Sequence, residues 1–216
     1  MAWVDGLRTE ELEVHIDARP LPLLRACGLA AALDPCALLG EDDVPEPPYW
    51  MHLWPGAIVL ARRLSRGGIG PATRVLELGC GLALPAVYAA RCGAQVVASD
   101  WKREPLALAR ASAVRNGAVM AVVQMDWAAL ALRGAFDLCL GADIAYDEQS
   151  EGRLVLALAA AVRQGGRAWL ADSVYTWRQT LPRRLADAGF LVSVEEARAE
   201  DEGRPVWVRL IEAERR

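Results

Sequence analysis

The chain has 216 residues, 54% of them hydrophobic and 24% charged, with a formal net charge of −4. That length admits one domain with a small elaboration and excludes two large independent domains, and the composition suits a folded chain with a core. The acidic balance argues against long-range attraction to nucleic-acid phosphates; five cysteines without a CxxC spacing and only two histidines argue against a disulfide framework, a metal site and a His-based triad.

Residues 1–66 read as a cap. Pro20, Pro22, Pro35, Pro45, Pro47 and Pro48 and the acidic run 41–46 are expected to break any long element there. One helix is predicted after Pro55, where Ala57, Leu60, Ala61 and Leu64 recur at helical spacing, with Arg62, Arg63 and Arg66 toward its C-terminus, where cations are favoured. Tyr49, Trp50 and Trp54 lie just before it, either as a staple onto the core or as a lid over a ligand, with Tyr49 and Trp50 nearer the substrate side. No targeting signal and no uncharged run of about 18 residues is visible, so a soluble protein in a reducing cytoplasm is expected.

From residue 73 onward strands and helices alternate. Strands are predicted over 74–79, 94–100, 119–124, 136–142 and 167–171, and helices over 83–92, 104–115, 150–163 and 175–188, the last ended by Gly189. Such alternation predicts a parallel sheet with crossovers. The tail departs from the rhythm: the β-rich runs 190–197 and 206–212 leave no room for a helix between them, so they pair antiparallel.

Three constellations carry the chemistry. The strand around Val75 runs into a turn holding Glu77, Gly79 and Gly81, and Asp100 ends the next strand. Glycines there let a ligand approach the backbone, and an acid at that distance takes ribose hydroxyls. A dinucleotide enzyme wants a third glycine where Leu84 stands, and Glu77 suits an ammonium group better than a pyrophosphate. Asp126 and Trp127 follow the third strand, placed either to accept from an adenine amino group and stack on its ring or to cap and cover the core. Asp143 and Tyr146 follow the fourth strand, three apart, either facing one pocket or serving as a helix cap and a packed ring.

The Glu-x-Gly-x-Gly pattern, the closing hairpin, the Asp126-Trp127 pair, the Gly141-Ala-Asp-x-x-Tyr146 loop and the upstream Tyr49-Trp50 and Trp54-Pro-Gly pieces together resemble the seven-strand class I S-adenosylmethionine-dependent methyltransferases. Within that class they look like methyltransferase family sixteen, the protein lysine methyltransferase group, and most like the branch acting on the electron-transfer flavoprotein beta subunit. The resemblance runs from about residue 47 to the C-terminus. It implies an α/β fold: a Rossmann-like, doubly wound, mostly parallel seven-stranded sheet ending in an antiparallel hairpin, with a cap and lid helix over 1–66 and the catalytic core over 67–216. It implies S-adenosyl-L-methionine as cofactor, held by Trp54, Glu77, Gly79, Gly81, Asp100, Trp101, Asp126, Trp127 and Ala142, with Asp143 and Tyr146 catalytic and no metal. The family often has a third glycine where this chain has Ala83.

The implied reaction is N-methylation of a lysine on a protein substrate, with the electron-transfer flavoprotein beta subunit as one candidate. A small-molecule amine such as nicotinamide, or a non-catalytic cofactor-binding module, are the alternatives. A lysine must arrive neutral; an aromatic pocket near a cationic sulfonium lowers its pKa, while Asp143 raises it. Asp143 is therefore expected to orient the amine and Tyr146 to wall the pocket, with the proton leaving through water.

Overall fold

The computed structural model describes residues 2–28, 48–129 and 134–216. The acidic run 41–46 and Pro35, Pro45 and Pro47 lie outside them. The core is one seven-stranded sheet in the order β6-β5-β4-β7-β8-β10-β9. Strands β4 (Arg74–Leu78), β5 (Gln95–Asp100), β6 (Ala121–Gln124), β7 (Phe136–Ala142) and β8 (Val162–Ser173) are parallel. The long hairpin of β9 (Phe190–Asp201) and β10 (Arg204–Arg215) pairs antiparallel onto β8 through β10. This is the expected architecture. The buried run of β4, with Val75, Leu76, Glu77 and Leu78 all inaccessible, is what a central parallel strand covered on both faces requires.

Helices α1 (Pro55–Ser65), α2 (Leu84–Arg91) and α3 (Arg103–Arg115) contribute to a core on one face of the sheet, and α4 (Glu148–Ala161) and α5 (Leu181–Asp187) to a second core on the other. Helix α1 lies against β7, β8, β9 and β10, so the helix before the glycine turn covers the sheet itself. Arg63 fixes it there, pairing with Glu212 while its guanidinium lies 4.1 Å from the centre of the Trp169 ring. Helix α4 opens with a reciprocal cap, Asp147 accepting from the Ser150 amide at 2.6 Å and the Ser150 hydroxyl accepting from the Asp147 amide at 3.0 Å.

Three expectations change. The cap holds a three-stranded antiparallel sheet, β1 (Ala2–Val4), β2 (Leu7–Ile16) and β3 (Arg19–Ala26), where no long element was expected. Pro20 and Pro22 are tolerated because β3 is an edge strand of that sheet, where the missing donor is not needed by a neighbour. The sheet docks on α3, the Leu24 amide donating to the Ser112 hydroxyl at 2.9 Å. The helix expected over 175–188 shrinks to α5, because Pro182 belongs in a first helical turn and so sets the start at Leu181. The hairpin strands run past their expected ends to Asp201 and Arg204, joined by the two-residue turn Glu202 and Gly203 with φ of 48° and 79°.

Candidate functional site

Between β4 and β7 the strand order reverses direction, and at that point the carboxyl ends of the strands leave a crevice. A cavity of about 300 Å³ opens there. Of the residues expected at the site, it is lined by Trp54, Gly79, Gly81, Asp100, Trp101, Trp127, Ala142, Asp143 and Tyr146, together with Tyr49 and Trp50 of the segment before α1. Lys102, Ile144, Tyr175 and Thr176 line it too, and sequence reasoning did not name them. Tyr175 was hidden inside an expected helix; the end of β8 was the signal that it belongs to this rim.

Each lining group is there for a local reason. Gly79 has φ +59°, and a Cβ on it would stand 2.8 Å from Ile144 Cγ2 and 3.1 Å from Trp127 Cζ2. The glycine thus lets two walls close over the turn that a ligand approaches. Asp100 accepts from the Gly81 amide at 3.2 Å and the Lys102 amide at 3.0 Å, so its carboxylate is preset at the rim of that turn. Burial raises its pKa, against those amides. Trp101 and Trp127 add exposed and half-buried rings, and the indole N–H of Trp54 donates to the Tyr49 carbonyl at 2.9 Å. Ala83 adopts φ +57°, a left-handed conformation in which a glycine would be unstrained, as the resemblance led one to expect there.

Glu77 and Asp126 are not among the cavity's lining residues. Glu77 is 1% exposed and accepts from the Ala86 amide at 2.9 Å, so it braces the glycine turn against the start of α2. Asp126 is exposed in the turn before Trp127, its carbonyl accepting from the Ala129 amide.

Asp143 is bonded on both carboxylate oxygens. Its carboxylate is buried, and Oδ2 accepts from the Gly56 amide at 2.8 Å while Oδ1 accepts from the Ser173 amide and the Thr176 hydroxyl, both at 2.6 Å. Its own amide donates to the Ala171 carbonyl at 2.9 Å. One side chain therefore ties the end of β7 to the start of α1 and to the end of β8. Tyr146 stands beside it, more than half exposed.

The cavity fits a nucleoside ligand: a glycine turn open to close approach, an acid for ribose hydroxyls, and aromatic faces for a planar base. Replacing Asp100 by alanine is expected to weaken S-adenosylhomocysteine binding about 10–100-fold, read by calorimetry. Unchanged affinity would remove Asp100 from the ligand site.

Two buried acids make stability depend on pH. The Glu77 carboxyl is pushed up to about 8 by burial, with the Asp100 charge adding and the Ala86 amide opposing. Asp172 is likewise pushed up to about 8, by burial first and then by the Asp143 charge, against Arg209. The folded chain keeps these protons where the unfolded chain releases them, so their contribution is complete below the ordinary carboxylate range and is lost as pH rises toward 8. Asp137 works in the opposite sense: although burial opposes it, Arg163 and Arg74 hold it at about 2, so its contribution fades only in strong acid. The melting temperature is expected to fall as pH rises from about 5 to about 8.5, and Glu77→Gln to flatten that slope. An identical slope in the variant would assign the titration elsewhere.

A protein-family model described as a methyltransferase domain matches residues 75–166. The chain is similar to the histone-arginine methyltransferase METTL23 of Xenopus laevis, 34% identical over 119 residues, covering 51% of this chain and 50% of that protein. It is also similar to the protein N-lysine methyltransferase METTL21A of Danio rerio, 34% identical over 116 residues, with 49% and 52% covered. The chain spans about half the length of the curated relatives it matches. Among solved structures, magnesium protoporphyrin IX methyltransferase of Synechocystis PCC 6803 with bound SAH aligns with a TM-score of 0.59 at 19% identity, over 74% of this chain and 82% of that one. Residues 75–166 match a methyltransferase domain, and the fold around them is the Rossmann-like fold shared with S-adenosylmethionine-dependent methyltransferases solved with bound SAH and SAM.

Proposed function

We propose that this chain transfers a methyl group from S-adenosylmethionine to a side-chain nitrogen of a protein, with lysine as the acceptor. The observation that carries this reading is the lining of the cavity, which the glycine turn and Asp100 share with Asp143 and three tyrosines, Tyr49, Tyr146 and Tyr175. The cofactor supplies an already activated methyl on a cationic sulfur. What remains for the protein is to present a neutral nitrogen in line and keep water out.

Those tyrosines, about half exposed, give an amine an aromatic approach, and the positive charge of the sulfonium beside it lowers its pKa and favours the nucleophilic form. Asp143 already receives three hydrogen bonds, so its charge is partly spent before any amine arrives. Its part is to set the geometry of the acceptor wall and to offer its remaining acceptor capacity to the N–H that points at it. Asp100 holds the ribose hydroxyls, Trp101 and Trp127 face the base, and Trp54 closes the chamber from the lid side.

A second reading is supported by the relatives named for arginine: the acceptor is then a guanidinium, which stays charged and is oriented by Asp143. The test is to incubate the protein with methyl-labelled S-adenosylmethionine and a desalted lysate, supplemented in parallel with core histones and with electron-transfer flavoprotein beta subunit. Labelled protein is then hydrolysed to amino acids. Methyl-lysine supports the first reading and methyl-arginine the second. Label that enters only after small amines are restored overturns both and moves the acceptor to a metabolite.

A further inference from the structure

The end of the β9–β10 hairpin projects beyond the sheet. β10 is paired with β8 from Val208 onward, opposite Ser173, with the Trp207 carbonyl still accepting from the Val174 amide, so Arg204–Val206 and their partners up to Asp201 reach past the end of β8 toward the cavity, with Ala199 and Val206 buried. The overhang is stiff, because its strands stay in register to the two-residue turn at Glu202 and Gly203. At its end Asp201 Oδ1 lies 2.9 Å from Nε2 of His52, a residue 149 positions earlier, and both side chains are 17% exposed.

His52 belongs to the segment that supplies the cavity with Tyr49, Trp50 and Trp54. Its ring stands edge-on to Trp54, with centroids 5.0 Å apart and planes at 82°, and Trp54 is bonded in turn to the Tyr49 carbonyl. The same segment touches the glycine turn, for a Cβ on Gly81 would lie 3.6 Å from the Trp50 carbonyl. Its other anchor is Met51, buried among Leu24 and Leu108. Tyr175, more than half exposed, lines the opposite rim of the same cavity, and desolvation, followed by the Asp201 charge, raises its pKa.

We propose that Asp201 is a positioning residue: from the hairpin tip it holds His52, and so fixes the aromatic wall of Tyr49 and Trp54 against which cofactor and acceptor are bound. The idea rests on the methyltransferase reading of the cavity. A carboxylate suits the task because it accepts from a ring nitrogen and keeps further acceptor capacity. The apolar contacts of Met51, Trp50 and Leu53 hold the backbone of this segment, and His52 adds a directional tie that sets the angle of the Trp54 ring against which it stands.

The experiment measures S-adenosylhomocysteine affinity by calorimetry for the wild type, Asp201→Ala and Asp201→Asn, with the melting temperature of each. The alanine variant is expected to bind about fivefold to tenfold more weakly with a melting temperature within a few degrees of the wild type. The asparagine variant, which still accepts from His52, is expected to stay within about twofold. Loss in both variants at unchanged melting temperature also supports the assignment and gives the hold to the carboxylate's charge. Equal affinity in all three proteins overturns it, as does a weakening that tracks a large fall in melting temperature. A wild type that binds no S-adenosylhomocysteine overturns the reading of the cavity itself, an outcome distinct from the variants matching a wild type that binds.

Discussion

Replacing Gly56 by alanine is expected to destabilise the protein by about 3 kcal/mol or more, although the position lies in the first turn of a helix. Helix propensity alone points the other way, favouring alanine by about 0.5–1 kcal/mol. The contacts decide the sign. A Cβ at Gly56 would stand 2.3 Å from the Ala171 carbonyl oxygen and 2.5 Å from Asp143 Oδ2, neither of which is the far end of a flexible chain. The start of α1 would have to lift from the end of β8, and the bond from the Gly56 amide to Asp143 would go with it. A thermal melt checks this. A chain of this length moves about 2–4 °C per kcal/mol, so a fall of about 6 °C or more is expected. A shift of less than 2 °C would mean that the junction has room the geometry does not show.

Asp143→Asn is expected to lower both turnover and stability, turnover by tenfold or more and stability by about 2–4 kcal/mol. Had the residue only faced the acceptor, the change would have spared the fold. In the structure both carboxylate oxygens receive N–H or O–H donors, and an amide can offer only one oxygen. Whichever way the asparagine turns, its NH₂ meets another donor and one buried backbone amide loses its partner. Cofactor affinity is expected to change less than turnover, because the proposed cofactor contacts, Asp100 and the glycine turn, stand on other elements. Calorimetry and single-turnover rates separate the two. Loss of cofactor affinity in step with turnover would show that the clamp supports the whole crevice.

Much of this was legible along the chain. The alternation of buried strands and amphipathic helices from residue 73 is a local pattern, and it specified the order of elements. The turn at Gly79 and the acid at Asp100 were legible for a related reason: a strand, a glycine turn and an acid at the end of the next strand are neighbours in both sequence and space. The pocket they form contains nine of the eleven residues expected there. The cap sheet was obscured by Pro20 and Pro22, whose placement on an edge strand is a fact of pairing that composition does not carry. The Asp5-Gly6 pair was a hairpin signal for its first turn.

The local order of strands, helices and the glycine turn follows from periodicity and spacing within a few residues, and the amino-acid sequence was enough to determine it. The roles of Asp143, Glu77 and Asp201 were decided by tertiary structure. Asp143 meets Gly56 across 87 positions, Asp201 meets His52 across 149, and Glu77 turns inward to the start of α2. Whether a carboxylate faces a ligand, braces a turn or clamps two elements depends on which donors surround it. Those donors come from parts of the chain that only the folded sheet brings together.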